Sequence, residues 1–242
     1  MSANPRIAAV RSDAGAPDAS TTTGVAPVPG PLAIQRAIAA YRDPIVRGYS
    51  WGRFKIFRQR FLQEIGQYLP ETGRVLDVGC GFGLFALYYA QTNPGISIDG
   101  FDLSRKRIGL AKEAAARLGV SNAHFEVQNA TELRAEARYD AVYMLDIIHH
   151  VPESAVETLL TQVHELLPPG GTLLVKDLDT TPAWQRIFAH VLDLAMSPTE
   201  PPRYWSTHEL RSLLTRIGFD VKLHAMVDIL PYPHVLYVAR RR

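Results

Sequence analysis

The chain has 242 residues, 47% of them hydrophobic, which suits one domain with a substantial core. Its 26 Lys and Arg against 24 Asp and Glu leave a net charge of +2, a balance that argues against a nucleic-acid partner. The single cysteine, Cys80, excludes an internal disulfide framework and points to a reducing compartment, the cytoplasm; no apolar run is long enough for stable membrane insertion.

Residues 1–30 are rich in Ala, Pro, Ser, Thr and Gly without sustained periodicity, and read as a disordered tail with no apolar core of a secretory signal. Pro31 suits the opening of a helix carrying Ile34, Ala37, Ile38 and Tyr41, which Pro44 would end or bend. Tyr49-Ser50-Trp51-Gly52-Arg53 then leads into a firmer helix with the apolar stripe Phe54, Phe57, Phe61, Ile65 and Leu69, closed by Pro70 and Gly73. Residues 31–70 thus read as a helical lid or cap on a domain spanning 71–242.

From Arg74 onward strand and helix signals alternate. Strand-like runs fall near 74–78, 96–101, 124–127, 139–145 and 171–176, and helices near 83–91, 104–118, 153–167 and 206–217. Ser206 and Glu209 have capping-box spacing. Two last strands, near 219–226 and 234–239, have no helix between them and read as an antiparallel pair on a parallel sheet. The pattern predicts a doubly wound α/β fold whose ligand sits at the carboxyl ends of the strands. An apolar insertion, Pro182 to Met196, follows the fifth strand.

The densest signal is Val75-Leu76-Asp77-Val78-Gly79-Cys80-Gly81-Phe82-Gly83, a buried-strand pattern that ends in an acid and three alternating glycines. Such a turn presents backbone to a flat ligand. A dinucleotide fingerprint needs a glycine where Leu84 stands, and no Lys-Ser or Lys-Thr pair supports a phosphate loop. In Gly100-Phe101-Asp102-Leu103-Ser104, Asp102 ends the second strand where a carboxylate takes ribose hydroxyls, because Ser104 already supplies the helix cap. Asn129, in Val127-Gln128-Asn129-Ala130 past the third strand, is placed to read an adenine edge.

On these motifs, residues 50–240 resemble a class I S-adenosylmethionine-dependent methyltransferase, a seven-stranded Rossmann-like sheet with a terminal antiparallel hairpin. The resemblance implies S-adenosyl-L-methionine as cofactor and S-adenosyl-L-homocysteine as product. It implies that Asp77, Gly79 and Gly81 hold the methionine part, with Cys80 as small packing inside the turn. Asp102 would take the ribose and Asn129 the adenine amine, with Leu103 and Ala130 beside them. The family more often has aspartate at the Asn129 position; an amide oxygen accepts the same bond without charge assistance. Arg53 is a candidate for the cofactor carboxylate.

Tyr143 to Pro152 follows the fourth strand, and similar runs ending in one or two histidines occur in small-molecule members of that family. Asp146 is a candidate for cofactor or acceptor contact, and His149 or His150 for a general base, one rather than both, since neighbouring side chains point different ways. Asp177, ending the fifth strand, would face the acceptor and either orient a histidine or bind a cationic substrate, while strand alternation would send Lys176 to the other side. Tyr49, Trp51, Tyr204 and Trp205, with the insertion, would roof an apolar or aromatic acceptor. No histidine spacing suggests a metal, and the helix stripes suit a monomer or a homodimer. The expected activity is in-line methyl transfer to O, N or C of a small metabolite. The alternatives are an NAD(P)-dependent oxidoreductase and a non-catalytic S-adenosylmethionine-binding module.

Overall fold

The computed structural model describes residues 26–130, 133, 138–178, 205–225 and 234–242. Most of the expected tail, the 182–196 insertion and Tyr204 lie outside the described residues.

Three helices precede the sheet. The first, α1 (Gly30–Ala39), has Pro31 in its first turn, where a missing N–H costs nothing. Pro44 does not end that helix; it opens the next one, α2 (Pro44–Ile56), because Asp43 caps it by accepting from the backbone N–H groups of Ile45 and Val46 at 2.8 and 3.3 Å. The single stripe expected from Phe54 to Leu69 is likewise split. Phe57 leaves helical geometry (φ −87°, ψ 79°), and α3 (Gln59–Gly66) starts afresh. The break turns the Phe57 ring onto Phe61 and Phe85, at centroid distances of 4.7 and 5.1 Å.

Strands and helices then alternate: β1 (Gly73–Val78), α4 (Leu84–Thr92), β2 (Ile96–Asp102), α5 (Arg105–Leu118), β3 (Ala123–Val127), β4 (Ala141–Leu145), a short 3-10 turn (Ile148–His150), α6 (Glu153–Leu166) and β5 (Thr172–Leu178). Helix α7 (Thr207–Ile217) and the strands β6 (Phe219–Ala225) and β7 (His234–Arg241) complete the order. The expected capping box opens α7: Ser206 Oγ accepts from Glu209 N and the Glu209 carboxylate accepts from Ser206 N.

The sheet runs β3-β2-β1-β4-β5-β7-β6, with β1 to β5 parallel and β7 antiparallel to both β5 and β6. This is the doubly wound, Rossmann-like sheet with its terminal hairpin. Strand alternation divides the core. Val75, Ala141, Tyr143, Leu145 and Leu174 face α1 to α5, while Leu76, Val78, Val142, Met144, Leu173 and Val175 face α6 and α7. Full burial of each large apolar side chain contributes about 1.5–3 kcal/mol. The chain winds outward from β1 to β2 and β3, then crosses back to β4, so the switch point lies between β1 and β4.

Candidate active site

At the switch point the chain leaving β1 turns back on itself. Gly79, Gly81 and Gly83 have φ values of 76°, 56° and 77°, in the left-handed region that side chains disfavour. A Cβ at Gly79 would lie 2.6 Å from Ile147, and one at Gly83 would lie 2.7 Å from the Phe125 ring. At Gly81 a Cβ would meet nothing within 4 Å, so the space above the turn is open. The backbone N–H groups of Gly79 and Cys80 both donate to Phe101 O at 2.9 Å, pinning the turn to β2. Cys80 is buried in it, and burial pushes its thiol well up, with Asp77 and Asp102 adding to the effect.

Asp102 organises three segments. Its Oδ2 accepts from Gly81 N at 3.0 Å, and its Oδ1 accepts from Ser104 N at 2.8 Å. Ser104 caps α5 through the Arg107 N–H, as expected. The Asp102 carbonyl accepts from Gln128 N at 3.2 Å, which brings the β3 exit, with Asn129 and Ala130, to the same rim. Leu103 stands 70% exposed beside it. A carboxylate offers about four acceptor sites, so Asp102 keeps capacity on both oxygens for a further donor pair such as a ribose diol. An open turn, a carboxylate with remaining acceptor capacity and an adjacent amide together fit an adenosyl group.

Asp77 ends β1 on the α4 side, fully enclosed. Tyr143 stands opposite it in the β1–β4 register and donates its hydroxyl to Asp77 Oδ2 at 2.9 Å. Burial raises the Asp77 carboxyl to about 8; the Tyr143 bond opposes that rise, and the charge of Asp102 adds to it. Around neutrality the group is therefore largely protonated.

The next residue along the rim is Asp146, just past β4, with φ 58°, the sole non-glycine residue with positive φ among the described residues. Arg53 from α2 donates to its Oδ2 at 2.5 Å, and Lys176 Nζ donates to its Oδ1. Its backbone N–H also donates to Lys176 O at 3.0 Å. Both cations lie against the Phe57 ring, the Arg53 guanidinium carbon 4.2 Å and the Lys176 nitrogen 4.7 Å from its centroid. Lys176 is 1% exposed, and burial lowers its ammonium pKa against the opposing pull of Asp146. Alternation does place Lys176 and Asp177 on opposite faces. The face given to Lys176 is, however, the one carrying Asp77 and the three N-terminal helices, so it belongs to this rim rather than away from it.

On the other face, His149 is buried and pairs through Nδ1 with Asp177 Oδ1 at 2.7 Å. With that carboxylate as acceptor, Nδ1 carries the proton. His150 is exposed, and its ring centroid lies 4.2 Å from that of His149. The two rings therefore touch, where divergent directions were expected.

The N-terminal segment reaches the glycine turn through aromatic groups. Tyr41 donates its hydroxyl to Phe82 O at 2.6 Å, and the Tyr49 ring lies 5.3 Å from that of Phe82. Trp51 does not join them. It is 57% exposed, with Lys55 Nζ 5.4 Å from its centroid, so it is no part of a roof over the rim.

Sequence reasoning passed over Tyr143, Tyr41 and Lys176. Lys176 carried a readable signal, since a lysine inside an apolar central strand needs a buried counter-charge. Tyr143 carried none, because its partner is set by the β1–β4 register.

A family model described as a methyltransferase domain matches residues 52–224. The O-methyltransferase rstn1 of Aspergillus nomiae is 31% identical over 175 residues, covering 69% of this chain and 74% of that protein. The ubiquinone biosynthesis O-methyltransferase of Xanthomonas axonopodis pv. citri is 34% identical over 116 residues, 47% of this chain and 46% of that one, so the match spans about half of each. Among solved structures, a putative O-methyltransferase of Nostoc punctiforme superposes with a TM-score of 0.65 at 26% identity, over 87% of this chain and 61% of its own.

Proposed function

The chain belongs to the methyltransferase-domain family, as an enzyme that uses S-adenosylmethionine to methylate a small molecule, and we propose that its acceptor is a hydroxyl of an apolar or aromatic metabolite. The observation that carries this reading is the contact between exposed His150 and the buried His149–Asp177 pair at the carboxyl ends of β4 and β5. The names of the two curated relatives point the same way, since both are O-methyltransferases.

The bound cofactor supplies a methyl group already activated by its sulfonium, so the protein's task is to hold, orient and deprotonate. In this reading Asp77 and the Gly79 and Gly81 backbone hold the methionine part, Arg53 its carboxylate, and Asp102 the ribose. Asn129 reads the adenine, flanked by Leu103 and Ala130, and Asp146 fixes Arg53 in place. Residues 31–70 act as the cap, their Tyr41 and Tyr49 closing over Phe82.

A hydroxyl is a weak nucleophile until its proton leaves, and an imidazole titrates in the range where that transfer is easy. His150 would accept the proton of an acceptor hydroxyl held beside it, leaving an oxygen able to receive the methyl group that the cofactor supplies. Asp177 holds His149 in one tautomer, and His149 presents its ring as the surface against which His150 is oriented. Positioning supplies much of the remaining acceleration.

The test is a screen of phenol, catechol, hydroquinone and matched aniline acceptors with the product identified by mass spectrometry and NMR. An O-methyl product with wild type, and a large loss of turnover with unchanged cofactor affinity in His150→Ala, is expected. An N- or C-methyl product, or full turnover in His150→Ala, would overturn the reading.

A further inference from the structure

Charge along this chain is not spread evenly. Residues 30–60 hold seven Arg or Lys and one acid, Asp43, a net +6, so the rest of the chain is net −4. Asp43 is spent on the α2 cap. Arg36, Arg42, Arg47, Lys55 and Arg58 are exposed, and none takes part in an ion pair among the described residues. Arg53, by contrast, is turned inward to Asp146.

The same helix exposes apolar groups. Val46, Ser50 and Phe54 form the buried side of α2. Its outward arc holds Ile45, Gly48, Trp51, Gly52 and Lys55, with Arg47 at the edge, at helical spacing. Ile45 is 81% exposed and Trp51 57%. A Cβ at Gly48 or Gly52 would meet nothing within 4 Å, so the arc is open. No acid lies on it.

We propose that this outer face of α2 docks the enzyme on an anionic membrane surface. Trp and Ile would enter the headgroup region, where an indole is favoured for its apolar body and polar N–H. The surrounding Arg and Lys would meet lipid phosphates, as in peripheral amphipathic helices that bind without spanning. Among the described residues no helix is long and apolar enough to cross a membrane. A nucleic acid would use the charge but has no use for an exposed Ile45 beside it. The inference rests on surface residues alone and does not depend on the acceptor's identity.

The test is co-sedimentation of the full chain with vesicles of phosphatidylcholine alone and with added phosphatidylglycerol, at low and physiological salt. Wild type should pellet with the anionic vesicles only, more weakly as salt rises. At about 1 kcal/mol per basic side chain near the surface, Arg47→Glu with Lys55→Glu should weaken binding roughly 30-fold or more. Trp51→Ala should weaken it several-fold. Cofactor calorimetry and the unfolding midpoint should be unchanged in both variants, since these side chains lie outside the site. Absence of anionic-vesicle binding, equal binding to phosphatidylcholine alone, or undiminished binding of the charge-reversed variant would overturn the proposal. So would binding to an RNA homopolymer with none to vesicles.

Discussion

Asp77→Asn isolates the tension between folding and cofactor recognition in this site. The wild-type carboxyl is fully buried beside Tyr143 and Asp102, with its pKa raised from 3.8 to about 8. The unfolded chain releases this proton near pH 4, while the folded chain keeps it to about pH 8. Because the folded pKa is the higher one, the contribution to stability is whole below pH 4 and is lost as pH rises towards 8. At about 1.36 kcal/mol per pH unit, the loss is about 4 kcal/mol by pH 7 and somewhat more above pH 8. Asparagine keeps the shape and an oxygen for the Tyr143 hydroxyl but carries no proton linkage. Urea unfolding at pH 5, 6.5 and 8 should therefore show Asp77→Asn gaining stability over wild type as pH rises, by several kcal/mol at pH 8. Calorimetry should show S-adenosylmethionine binding little changed by Asp77→Asn near pH 6.5, where the wild-type group is itself protonated, and weaker than wild type only above about pH 8. A variant whose pH profile runs parallel to wild type would refute the assignment of that slope to Asp77.

Asp102→Ala removes the acceptor for Gly81 N and Ser104 N together with the proposed ribose contact, and loss of one charge-assisted bond of about 1.5–3 kcal/mol to the ribose predicts a roughly ten- to hundred-fold loss in S-adenosylhomocysteine affinity by calorimetry. Asp177→Asn should lower kcat and reshape the pH–rate profile while leaving cofactor Kd unchanged, because it acts on His149 through one 2.7 Å bond; a purely structural Asp177 would lower thermal stability without altering that profile. Gly83→Ala meets the Phe125 ring at 2.7 Å on top of a positive φ and should cost about 2–4 kcal/mol in chemical unfolding. Gly81→Ala carries only the φ penalty of about 1–2 kcal/mol, so equal losses at the two positions would dismiss the steric account.

Much of the architecture was legible because its causes are local. Alternating apolar runs placed the strands to within two residues, and Ser104 and Ser206 announced their helices by capping chemistry. The glycine turn was legible for the same reason, since Gly79 and Gly83 sit where only a missing Cβ fits. Misreadings arose where a local rule had two outcomes. Pro44 can stop a helix or start one, and the deciding Asp43 carboxylate belongs to the residue before it. The apolar period from Phe54 to Leu69 survives a break at Phe57, so periodicity alone does not reveal the break. Contacts across the sheet were the least visible: Tyr143 meets Asp77 over 66 positions of sequence, and Lys176 meets Asp146 over 30.

Helix α2 presents different chemistry on its two sides. Arg53 and Trp51 are two positions apart, which on a helix turns them about 200° from one another. One side of the helix therefore holds Asp146 at the sheet rim, and the other presents indole and lysine outward. Asp146 sits in a left-handed conformation that disfavours a side chain by about 1–2 kcal/mol, and its ion pairs with Arg53 and Lys176 offset that strain. A force on the outer face of α2 would thus be felt first at Arg53, then at Asp146, and through its backbone bond at Lys176 in β5. The proposed docking face and the Arg53–Asp146 pair thus lie on opposite sides of one helix, so substitutions on the outer face at Arg47, Trp51 or Lys55 leave that pair in place and separate the two roles.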